Sequence, residues 1–168
     1  MFGWFKSKET KMREAALEML DTTHYALSLG ISARLRKYAP QGADDTKRDL
    51  FSVAVLNELA GYAPTNRAGA AYLSENWPMI QGFAGRVKND AVLAQAVSYL
   101  YALQALTLAI KTGNPVSADS MNILERANKF GLHIPSTVEI CGSDRAEVCI
   151  MALHKYAQDF FTSALSAA

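Results

Sequence analysis

The chain is poor in the features that staple very small or exported proteins. Its only cysteines are Cys141 and Cys149, too few and too oddly spaced for a disulfide framework or a redox Cys-x-x-Cys pair. A reducing cytoplasm is therefore the expected location. An export signal is also missing: Met1-Phe2-Gly3-Trp4-Phe5 meets Lys6 and Lys8 at once, with no apolar stretch of the ~7–15 residues that a secretory signal needs. Charge of one sign is lacking as well. Lys and Arg number 17 against 16 Asp and Glu, a net charge of +1, which does not suit a protein that grips a phosphate backbone, so nucleic acid is not an expected partner. There is no alternating β-branched run, no Asn-Gly or Asp-Gly hairpin turn and no internal repeat. Nucleophile elbow, P-loop, dinucleotide fingerprint and HExxH are absent too, so catalysis is not supported and no cofactor is expected.

What is present is helix. The 168 residues, half of them apolar and 20% charged, make one domain able to bury about 69% of its extended-chain surface. Ser7 caps a helix over about 8–38, with Met12, Ala16, Leu20, Thr23, Leu27, Ile31 and Leu35 along one face and Glu14, Glu18 and Asp21 opposite. Gly30 is a candidate bend. A second helix follows Asp44 or Asp45 and stops near Tyr62 and Pro64; Thr65 is the expected cap of a third through Ser74. Asn76-Trp77-Pro78 opens a fourth, to about Lys88. Ser117 caps a helix to Phe130, Ser136-Thr137-Val138-Glu139 reads as a capping box, and a last helix follows Ser143.

Between Asn89 or Asp90 and Lys111 lies a run, Ala91 to Ile110, without a single charge. Gln95, Ser98, Gln104 and Thr107 dilute it, and its length is marginal for a bilayer span, so it reads as a central helix enclosed by its neighbours rather than a membrane segment. The expected architecture is all-α: one orthogonal or irregular bundle of about six to eight helices around this central apolar helix, about residues 90–112. The domain spans 1–168, with residues 1–7 as an aromatic N-terminal tip.

Two clusters invite a metal reading and fail it. Glu14, Glu18 and Asp21 lie opposite the apolar face, with only His24 near its edge, and no second carboxylate-x-x-His helix exists to complete a two-metal bundle site. His133, Cys141, Cys149 and His154 lack the paired spacing of a zinc site, and Cys149 falls in the apolar stripe of the last helix. No metal ligand set is assigned.

The first functional expectation is a non-catalytic interaction module, a homodimer or the holder of a protein partner. It would use Val148 and Met151 outside the last helix's stripe and the aromatic tip Phe2, Trp4 and Phe5, which also suits peripheral membrane contact. The alternative is a small-ligand-binding domain with an aromatic and arginine pocket in residues 62–86, formed by Tyr62, Arg67, Tyr72, Trp77, Phe83 and Arg86. A second alternative is a helix-turn-helix over Leu59–Arg67, in which Asn66 and Arg67 would reach base edges.

Overall fold

The computed structural model describes residues 7–166. Along them run α1 (Lys8–Leu35), α2 (Asp45–Ala60), α3 (Arg67–Glu75), α4 (Trp77–Ala84), α5 (Ala91–Thr112), α6 (Ala118–Lys129), α7 (Thr137–Cys141) and α8 (Ala146–Ser166), with 3-10 turns at Arg36–Tyr38 and Val87–Asn89. No strand occurs among the described residues. The protein is an all-helical bundle with α5 as its central apolar helix.

Local chemistry sets most helix ends. The side chains of Ser7, Asp44, Asp90 and Ser117 each accept the backbone N–H three residues on, at 3.1, 2.8, 3.1 and 3.2 Å, satisfying donors that a helix start leaves orphaned. Ser136 and Glu139 form the reciprocal capping box. Gly61, Gly113 and Gly142 end α2, α5 and α7 at φ +73°, +68° and +70°, a conformation that costs glycine nothing. One cap differs from the sequence expectation: α3 is capped by Asn66, whose Oδ1 accepts Gly69 N–H at 2.8 Å, and not by Thr65. The backbone stays extended through Asn66, so the helix starts one residue later.

α1 and α8 form the broadest contact in the bundle. Gly30 sits buried at their crossing. A Cβ built there would lie 2.7 Å from the Phe160 ring and 3.2 Å from the Phe161 Cα. The missing side chain thus admits α8, and α1 remains one helix through it.

One turn beyond Gly30, the C-terminal end of α1 is tied to the start of α5. Arg34 donates to both carboxylate oxygens of Asp90, at 3.0 and 2.8 Å, and the Tyr38 hydroxyl donates to the same group at 2.5 Å. Burial by itself would raise the Asp90 pKa; these bonds and the Leu93 N–H outweigh it and bring it down to about 2. The N-cap of the central helix is therefore also an ion-paired anchor to α1.

α5 departs from the expectation of enclosure all round. Leu93, Ala96, Val97, Leu100, Tyr101, Ala102 and Leu103 are buried, whereas Gln104 to Ile110 are only half-buried. Among the described residues α5 is the one helix long and apolar enough to cross a membrane; in its first half Leu93, Ala96, Val97 and Leu100 are buried in the protein core while Ala91, Val92 and Gln95 are exposed. α2, which packs beside α5, ends at Ala60, level with Gln104.

Replacing Gly30 with Ala improves intrinsic helix propensity but drives a methyl into Phe160. Overpacking outweighs the gain, for a net loss of about 1–2 kcal/mol and a fall in Tm of about 3–6 °C. Thermal denaturation of Gly30→Ala, Phe160→Leu and the double variant checks this, with the double variant expected to recover part of the loss.

Candidate functional site

Where α2 stops, a cleft of about 400 Å³ opens between α1, α5 and α6. Asp21 and His24 come from α1, Ala60 and Tyr62 from the end of α2, Gln104, Thr107, Leu108 and Lys111 from α5, and Asp119, Asn122, Ile123 and Arg126 from α6. Its volume lies at the small end of ligand pockets, and apolar walls carry a few convergent polar groups.

The inner wall is built on the last carbonyls of α2. Tyr101 donates to Leu59 O at 2.7 Å, Arg126 Nη1 to Ala60 O at 2.6 Å and Gln104 Nε2 to Ala60 O at 3.3 Å. Gly61 leaves space for the guanidinium: a Cβ there would lie 2.2 Å from the Arg126 Cζ. Gln104 Nε2 also donates to the Tyr62 hydroxyl at 2.9 Å, and that hydroxyl is hydrogen-bonded to His24 Nε2. The Tyr62 hydroxyl thus joins Gln104 on α5 to His24 on α1, accepting from the amide and sharing one further hydrogen with His24 Nε2 in either direction. Burial lowers the His24 pKa below its ordinary value, with Asp21 raising it and Lys111 lowering it; burial raises the Tyr62 pKa. Both shifts favour this neutral relay.

Two features remain open in the cleft. Gln104 Oε1 is buried without a hydrogen-bond partner, because the amide's nitrogen faces Ala60 O and Tyr62. Such an acceptor is costly to leave unmade. In addition, Asp21, Lys111 and Asp119 form no salt bridge among the described residues, and Arg126 bonds only to a carbonyl.

Of the residues expected to form a pocket in 62–86, Tyr62 alone enters this cleft. Phe83 and Arg86 line a separate recess of about 410 Å³ with Tyr38 and Asp90, the Arg86 guanidinium lying 5.7 Å from the Phe83 ring centre. Tyr72 faces a third recess with Pro40, Glu75 and Met79. Arg67 is exposed at the start of α3, and Trp77 is exposed at the start of α4. On α8, Val148 is half-buried and Met151 exposed. Phe2, Trp4 and Phe5 lie outside the described residues.

Sequence reasoning missed most of the cleft because its residues come from α1, α5 and α6. A signal existed: Gln104, Thr107 and Lys111 repeat at helical spacing and put three polar groups of the helix's second half on one face. No three His, Cys, Asp or Glu side chains converge among the described residues. Cys149 is buried, its thiol pushed up to about 11 by burial and by the neighbouring Cys141; the turn between α7 and α8 brings the two cysteines together.

Because His24 has a depressed folded pKa against 6.5 when unperturbed, its contribution to stability is complete above about pH 6.5 and is lost as pH falls through the folded value. Melting curves at about pH 7.5 and about pH 5 are expected to show a smaller acid-induced drop for His24→Asn than for the wild type, and equal drops would refute the relay. No protein family, curated protein or solved structure matches this chain.

Proposed function

We propose that the protein is a non-catalytic helical domain that binds a small polar ligand in the cleft between α1, α5 and α6. The observation that carries this reading is the buried, unpartnered Gln104 Oε1 on the wall of a cleft of ligand-like volume. The amide nitrogen of the same side chain is held by Ala60 O and the Tyr62 hydroxyl, so the deficit sits on one atom of a residue that lines the cleft. A donor group of a bound molecule meets it with a small turn of the amide. The paired cysteines are free, which agrees with the proposed cytoplasmic setting.

A second reading, an interaction module that self-associates or holds a protein partner, is supported by large apolar side chains left exposed on the outermost helices. Met12 and Tyr25 on α1 are 64% and 66% exposed, Met151 and Leu165 on α8 are 66% and 55% exposed. The helix-turn-helix alternative has less support, since Asn66 is engaged in capping α3 and Asp44, Asp45 and Asp49 interrupt the nearby basic residues.

Ligand-observed and protein-observed NMR with pools of small anionic, amide-bearing and aromatic metabolites tests the first reading. A binder is expected to shift the side-chain amide signals of Gln104 and Asn122. At a hundredfold excess over Kd it adds about 2.7 kcal/mol, or about 5–10 °C in Tm. Asn122→Trp, which places an indole at the cleft mouth, abolishes both effects; shifts that survive it locate the binder elsewhere. For the second reading, light scattering at micromolar concentration is expected to give a dimer mass that Met151→Glu returns to that of a monomer. A wild-type monomer throughout removes self-association.

A further inference from the structure

We infer that the ligand of this cleft is an amino-acid-like zwitterion, with its carboxylate toward Lys111 and Arg126 and its ammonium toward Asp21 or Asp119 and the Gln104 carbonyl oxygen. The inference rests on the ligand-binding reading and narrows it. Two cations and two carboxylates line one opening, yet none of the four closes a salt bridge with another among the described residues. Asp21, Lys111 and Asp119 are exposed side chains on three different helices around one opening, with Arg126 beside them. A molecule bearing both signs fills that opening and pairs with both sets at once, while a simple anion pairs with one set and is repelled by the other.

The polar inventory agrees in sign. Arg126 uses Nη1 on Ala60 O, which leaves the rest of its guanidinium fork for a carboxylate, and the Lys111 ammonium supplies a second positive group on the adjoining helix. Gln104 Oε1 needs a donor, and an ammonium has three. Ala60, Leu108 and Ile123 provide apolar wall for a side chain. The volume admits a single amino acid with space to spare and does not require a polymer.

The test is a titration of the full chain, followed by side-chain amide NMR of Gln104 and Asn122, with three sets of probes. These are free L-amino acids, the corresponding deaminated carboxylic acids and decarboxylated amines, and inorganic phosphate. At least one amino acid is expected to bind at least about tenfold more tightly than its own acid and amine analogues, the worth of one additional charge-assisted contact. Lys111→Gln is expected to weaken the amino acid and the acid but not the amine; Asp21→Asn and Asp119→Asn together weaken the amino acid and the amine but not the acid. If an acid or phosphate binds at the cleft as tightly as every amino acid, the zwitterion assignment is overturned and the ligand-binding reading stands. If no probe here and no metabolite in the broader pools perturbs the cleft, both fall.

Discussion

The C-terminal end of α2 sets the terms for the rest of the molecule. A helix that stops inside a protein presents carbonyls with no intrahelical partner, and burying them unpaired is expensive. Here Leu59 and Ala60 end against the bundle centre, and their donors come from far along the chain: Tyr101 and Gln104 on α5 and Arg126 on α6. Gly61 contributes twice, through its left-handed backbone and through the space it leaves the guanidinium. Satisfying one helix end therefore fixes three helices relative to one another. The cleft is the volume left beyond that end.

The same requirement explains why the wall is polar in a largely apolar helix. α5 must be apolar where α1, α8 and α2 pack against it, and must supply donors where α2 runs out. Gln104 does so at the cost of an oxygen with nothing to accept. α1 closes the other side, carrying His24 to the Tyr62 hydroxyl. Its position is held at one end by Arg34 and Tyr38 on Asp90 and along its length by the close crossing with α8 at Gly30. Cleft geometry and bundle packing are thus the same set of contacts seen from two sides.

Much of the architecture was legible before any coordinates. Ser7, Ser117 and Ser136 announce helix starts and Asp44 and Asp90 are each one of two neighbouring candidates, because capping involves groups within a few residues of each other; the ends at Gly61 and Gly142 appeared only in the structure. The buried face of α1, with Leu20, Thr23, Leu27, Ile31 and Leu35, follows from spacing alone. The site was far less legible. The aromatic and arginine residues of 62–86 are near in sequence but face different recesses, since three short segments turn the chain repeatedly between Tyr62 and Arg86. Asp21, Gln104 and Asn122 carry no pattern that links them.

What the sequence by itself determined is the helical class, the approximate extent of each helix, and the identity of α5 as the apolar centre. These depend on 3.6-residue periodicity and on hydrogen bonds between neighbours along the chain. Only the tertiary structure decided which face of α5 is covered, and that His24, Tyr62, Gln104, Lys111, Asp119 and Arg126 share one cleft. That outcome turns on which distant donors reach the carbonyls at the end of α2, and no local pattern records a pairing between residues separated by forty or more positions.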